Sequence, residues 1–247
     1  MRIIISPAKK MLVEDLIPSR GKPVYFEKAQ HIYTYLKNKS LEELQTIWRC
    51  NSDIAQTNFE RLQKYVPGAE FSPAILSYEG IQYKYMAPSV FANDEIDYLQ
   101  RHLRIISAIY GVLKPLDPIS PYRLEMQADI KIGYAKDLYD FWGEDIYREI
   151  VDKDRVIINL ASKEYSKSVE KYLRSGDRFI TCIFAQYSKD KLVQKGTYAK
   201  MARGEMVRYM AENAVFCPEQ IKTFNRLGYE YSETESTDTE FVFIQKI

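Results

Sequence analysis

Lysine, arginine, tyrosine and carboxylate side chains recur together in several short motifs of this 247-residue chain. Lys9 follows Ser6-Pro7-Ala8. Arg123 and Glu125 stand in Tyr122-Arg123-Leu124-Glu125, and Asp140 follows Leu138-Tyr139. Ser162, Lys163 and Tyr165 share Ala161-Ser162-Lys163-Glu164-Tyr165, and Lys200 precedes Met201-Ala202-Arg203. Core packing would need only apolar residues at these places. Lys9, Arg123, Glu125, Asp140, Lys163, Tyr165, Lys200 and Arg203 are therefore candidates to meet in one cleft. The cations suit a phosphate or another anion. The chain's two histidines, His31 and His102, fall on predicted helices with no evident partner. Acid–base chemistry would then fall to lysine, tyrosine or carboxylate, and no catalytic residue is singled out.

A second constellation lies on the helix expected after Ser162. At about 100° per residue, Lys163, Lys167, Lys171 and Arg174 share one stripe opposite Tyr165, Val169, Tyr172 and Leu173. Such a stripe is an ordinary solvated face or, functionally, a ridge that tracks phosphates. Ser162 and Lys163 also stand at the helix start, where free N–H groups favour an anion. A third lies in Leu103 to Met126. There an apolar run leads to Tyr110-Gly111 and then Lys114, and Pro115, Pro118 and Pro121 stiffen the segment beyond. This reads as a buried element delivering a rigid functional loop that ends at Arg123 and Glu125.

Composition sets the bounds. Thirty-five basic and 34 acidic side chains give a net charge of +1, so any nucleic-acid role needs charge gathered on one face. Segregation is present. Gln186 to Tyr209 holds six bases against Asp190 and Glu205, while Tyr229 to Ile247 holds five acids against Lys246. The three cysteines are far apart, which fits a reducing cytoplasm and offers no metal spacing. No apolar run is long enough for a membrane helix. No phosphate-loop, dinucleotide, zinc-protease or serine-hydrolase motif is present, so no cofactor and no metal are expected. The 20 tyrosines are expected mostly in the core.

The supporting elements are read from periodicity. Strands are expected at Arg2 to Ser6, Arg155 to Ala161, Phe179 to Ala185 and Thr239 to Gln245. Helices are expected from Glu27 to Lys39, after the capping-box sequence Ser40 to Glu43, and from Ser52 to Tyr65. Others are expected after Asn93 as N-cap, over Lys136 to Val151 with a break at Trp142-Gly143, after Ser162, and over Tyr198 to Phe216. Gly204 inside the last of these costs about 1 kcal/mol relative to alanine, and so marks either a close backbone approach or nothing. Alternation of strands and helices predicts one domain over residues 1–247, of α/β or α+β class, with helices around a central mixed sheet.

Six stretches, taken in order, resemble one known family. They are Ile5 to Lys9, Tyr110 to Asp117, Pro121 to Met126, Leu138 to Gly143, Asn159 to Tyr165 and Tyr198 to Gly204. Together they are similar to the bacterial YaaA peroxide-stress proteins. The resemblance implies a cytosolic protein that limits damage under hydrogen peroxide and is linked to keeping free iron low. It implies an α/β domain that binds duplex or distorted DNA through a positive cleft. It also implies a helix–hairpin–helix-like element, mapped onto the helix before Tyr110 and the turn from Ile109 to Leu113. The phosphate-binding candidates are then Lys9, Tyr110, Gly111, Lys114, Arg123, Ser162, Lys163, Lys167, Lys200 and Arg203. Glu125, Asp140 and Tyr165 are the acids and aromatic of the same pocket. The alternative to DNA binding is an enzyme acting on a nucleotide, a nucleoside or damaged nucleic acid, if the motifs line one small pocket.

Overall fold

The computed structural model describes residues 1–14, 16–69, 72–189 and 191–246. Asp190, one of the two acids between Gln186 and Tyr209, lies outside them. Ile3, Ile4 and Ile5 are successive and all fully buried. Because neighbouring strand residues point to opposite faces, this strand is covered on both sides. It is β1, Arg2–Ile5. The other strands of its sheet are β2 Leu103–Ser107, β3 Gly111–Leu113, β4 Val156–Leu160, β5 Arg178–Ser188, β6 Lys191–Val193, β7 Tyr229–Tyr231 and β8 Glu240–Gln245.

The sheet order is β7-β8-β5-β4-β1-β2-β3, with β6 paired to β5. Strands β2, β1, β4, β5 and β8 run parallel, with Ile4 opposite both Arg104 and Asn159. Strands β3, β6 and β7 are antiparallel additions. The five parallel strands therefore stand in the order second, first, third, fourth, fifth. That is a doubly wound arrangement, and its connections diverge between β1 and β4. The mixed sheet surrounded by helices agrees with the expected class. One apolar cluster runs from Met1 to Phe243, and tyrosines 33, 78, 83, 98, 110, 122 and 147 fill it.

The helices around this sheet include α1 Phe26–Lys37, α2 Leu41–Trp48, α3 Ser52–Lys64, α4 Ile81–Met86, α5 Asn93–His102, α6 Leu138–Trp142, α7 Asp145–Ile150, α8 Lys163–Glu170 and α9 Gly196–Glu212. The capping box of α2 forms as expected: Glu43 N–H donates to Ser40 Oγ, and Ser40 N–H donates to the Glu43 carboxylate. For α5 the N-cap is Ala92, not Asn93. Glu95 supplies the bond to the Ala92 N–H, at 2.7 Å.

Two differences from expectation concern the proline-rich stretch. Leu103–Ser107 is a strand, not a helix, and Gly111 starts the next strand of a β-hairpin. No helix–hairpin–helix forms there. The reason is the β-branched, fully buried run Ile105-Ile106, which lies in the strand that pairs with β1. Gly111 keeps a positive φ of 70°, and a Cβ on it would meet the Trp142 ring at 2.8 Å. The second difference is the loop's path. Because β3 runs against β2, Lys114 emerges at the end of the sheet where β1 begins. The chain then crosses back over residues 115–121, pairing Pro118–Ile119 with Ser72–Pro73.

Candidate anion-binding cleft

The divergence point between β1 and β4 opens into a cleft of about 370 Å³. Its floor is pinned by Ser6, the residue after β1. Ser162 N–H donates to Ser6 Oγ at 2.8 Å, and Tyr83 O–H donates to the Ser6 carbonyl at 3.0 Å. The two strand ends and α4 are thereby tied to one serine. Lys9 enters from the loop after β1, Ser162 from the β4–α8 turn and Tyr165 from the first turn of α8. Arg123 and Glu125 come from the loop after β3, and Lys200 and Arg203 from α9.

Packing explains how each side chain arrives. Tyr122 is buried, with its hydroxyl 2.6 Å from Ser107 Oγ and 2.8 Å from Tyr78 Oη. This anchors the loop so that Arg123 and Glu125, on either side of buried Leu124, turn into the cleft. On the opposite wall, α9 touches α4 backbone to backbone at Gly204. A plain Cβ would not fit there, so Gly204 is a close-approach glycine.

Charge is unequal in the cleft. Lys9 pairs with Glu125 at 2.8 Å, and Lys10 with Glu79 at 2.8 Å. Arg123, Lys200 and Arg203 have no carboxylate partner among the described residues, and they share the cleft with Glu164. Arg123 Nε, Arg203 Nε and Gln82 Nε2 are buried without a hydrogen-bond partner. Burial lowers the Arg203 pKa and raises those of Glu164 and Tyr165. Both arginines are half-buried, and a buried guanidinium N–H without an acceptor is costly unless an anion or another acceptor joins it. The start of α8, where N–H groups point outward, adds to the same preference.

The remaining sequence candidates are elsewhere. Tyr110 and Gly111 are fully buried in the core; Tyr110 bonds Tyr33 at 3.1 Å and cannot present itself to a phosphate. Lys114 stands at the other end of the sheet. Asp140 is exposed in the first turn of α6 and accepts from Lys136 N–H, outside the cleft. The expected four-cation stripe does not form on one helix, because α8 ends at Glu170 and leaves Lys171 and Arg174 beyond it, and its cations are largely engaged. Lys163 pairs with Glu170, Lys167 lies 4.9 Å over the Tyr139 ring, and Arg174 pairs with Glu144 at 3.0 Å. Lys163 lines a neighbouring groove instead. Periodicity missed Gln82, Glu164 and Ser6. Glu164 lay inside one of the polar motifs, and Ser6 ended a predicted strand just before Pro7, so both had a signal. Gln82 had none.

Among the described residues, no three His, Cys, Asp or Glu side chains are placed to hold a metal ion, and no helix is long and apolar enough to cross a membrane.

The chain is thus a doubly wound α/β protein whose cleft, lined by more cations than acids, lies at the strand-order reversal, the place where open α/β sheets hold ligands. The family can be stated more closely. The sequence profile described as "Peroxide stress protein YaaA" matches residues 1–235, and the chain belongs to that family. It is 54% identical to a UPF0246 protein of Agathobacter rectalis over the full length of both chains. It is 52% identical to one of Desulfitobacterium hafniense, covering 99% of this chain and 98% of that one. A UPF0246 protein of Lachnoclostridium phytofermentans is 48% identical over 99% and 96%.

Proposed function

We propose that the chain serves the peroxide-stress response from the cytoplasm by binding, and acting on, a phosphate-bearing nucleotide unit in this cleft. One observation carries the reading. Arg123 and Arg203 converge on the cleft with buried, unpartnered Nε atoms and no carboxylate of their own among the described residues. Glu125 beside Lys9, and Glu164 with its raised pKa, are the groups placed for proton transfer. Calorimetric titration with inorganic phosphate and pyrophosphate tests it. Saturable binding that Arg123→Ala and Arg203→Ala each weaken at least about tenfold supports the reading. Absence of binding, or binding that neither variant changes, sinks it.

A second reading is favoured by Lys9, Lys10 and Lys200, which are exposed at the mouth of the cleft. On this reading the rim tracks the backbone of duplex or distorted DNA without sequence preference. Such binding would limit iron-dependent oxidative damage to that DNA. Anisotropy of labelled duplex across salt concentrations separates the two readings. Replacing all three lysines by methionine should reduce the slope of log K against log salt by about 3. An unchanged slope removes the rim from the account.

A further inference from the structure

Beside the cleft lies a second cavity of about 630 Å³, between the β4–β5 surface, α8 and the start of β8. The two share one wall, the turn at the start of α8. Ser162 and Glu164 line the cleft, while Ala161 and Lys163 line the groove. They also share one cation. Arg203 borders both cavities, and its Nε is buried with no hydrogen-bond partner.

The groove is chemically unlike the cleft. Its own cation, Lys163, is paired with Glu170, and its buried Asp177 carboxylate is paired with Arg155 at 2.8 Å and accepts from Tyr147 O–H. What remains is uncharged or acceptor chemistry. Gln194 and the Glu240 carboxylate are exposed at the groove, and Thr181 faces it with Phe179 beside it. A second phosphate would meet a carboxylate there and, among the described residues, no free cation apart from Arg203. A flat heterocycle with N–H donors and ring acceptors finds a partner for each.

We infer that cleft and groove form one two-part site, joined at Arg203, that takes a nucleoside monophosphate unit with its phosphate in the cleft and its base in the groove. This rests on the anion-binding reading above and names the ligand class. The phosphate sits between Arg203, Arg123 and the start of α8, and the sugar crosses the ridge at Ser162. Gln194 and Glu240 read the base edge. The unit can arrive as a free nucleotide or as a nucleotide turned out of a DNA strand, since both present a base, a sugar and an anionic 5′-phosphoryl group.

The test compares ribose 5-phosphate with adenosine, guanosine, cytidine and uridine monophosphates by calorimetry. At least one nucleotide should bind about tenfold tighter than ribose 5-phosphate. Gln194→Ala and Glu240→Gln, both at exposed positions, should erase that gain and leave ribose 5-phosphate affinity unchanged. Arg203→Ala should weaken every ligand. Equal affinity for nucleotides and ribose 5-phosphate overturns the two-part site and leaves the anion-binding reading standing. A loss of both affinities in the groove variants also overturns it. No binding of any phosphate compound ends both. A competition arm distinguishes the sources. A duplex with a central mismatch that displaces the nucleotide, where a matched duplex does not, assigns the site to an everted base. Failure of both duplexes to compete assigns it to the free nucleotide.

Discussion

The carbonyl oxygen of Gln82 lies against the Cα of Gly204, so close that a methyl group at 204 would sit 2.1 Å from it. The same helix contact puts Gln82 and Arg203 on one wall of the cleft. Gly204→Ala gains about 1 kcal/mol in helix propensity and loses more than that to the clash, since overpacking typically costs about 1–3 kcal/mol. Urea denaturation should show net destabilisation. Phosphate affinity should fall as well, because α9 must move away from α4. A variant as stable as the parent with undiminished affinity would show that this contact does not set the cleft.

Tyr122 offers a second check. Its buried hydroxyl is shared by Ser107 and Tyr78. Tyr122→Phe leaves those partners with fewer bonds in a dry place, at a cost of about 1–3 kcal/mol. Arg123 is the next residue, so binding at the cleft should weaken together with stability. Tyr98→Phe, which removes the O–H that donates to the Val215 carbonyl at 2.5 Å and borders neither cleft nor groove, should lower stability and leave binding unchanged.

Asp117 gives a pH signature. Burial is the main cause that raises its carboxyl from 3.8 to about 6, partly opposed by the Lys114 N–H it accepts at 2.8 Å. The folded state therefore holds this proton more tightly than the unfolded chain. Its contribution is fully present below about pH 4 and is lost as pH rises through about 6, a change on the order of 3 kcal/mol. Asp117→Asn keeps an oxygen for Lys114 and has no proton to lose. The stability difference between variant and parent should grow in the variant's favour from pH 4 to pH 7. A difference that stays flat would mean that Asp117 titrates normally.

Gly111 separates folding from binding. Gly111→Ala would place a methyl 2.8 Å from the Trp142 ring and would force an alanine into a φ of 70°. Stability should drop by about 1–3 kcal/mol. Phosphate affinity of the folded fraction should hold, since Gly111 is buried away from the cleft. A selective loss of binding without loss of stability would return this glycine to the site.

Local chemistry was legible in the chain. The Ser40–Glu43 capping box, the buried strand from Arg2 and the break at Trp142-Gly143 depend on neighbours within a few residues, and sequence carries those directly. So did the alternation of elements that predicts a mixed sheet. The dense polar motifs also marked where the cleft walls come from. Lys9, Arg123, Glu125, Tyr165, Lys200 and Arg203 all border it, although they span residues 9 to 203.

Tertiary structure decided which charges are free. The predicted stripe is cut short, because α8 ends at Glu170 and leaves only Lys163 and Lys167 of its four cations on the helix. Its charge is answered by Glu170 on its own helix, by Glu144 from the turn before α7 and by the Tyr139 ring, and two of these three come from another part of the chain. Tyr110 and Gly111 looked like a phosphate turn until the pairing of β2 with β1 drew them into the core. Arg123 and Arg203 looked no different from other arginines. Only the strand-order reversal, where the connections that follow the paired strands β1 and β4 diverge, placed them together with, among the described residues, no acid paired to either. Sequence determined which groups this protein can use. The fold determined which of them remain uncompensated, because burial and pairing are properties of neighbours distant in the chain.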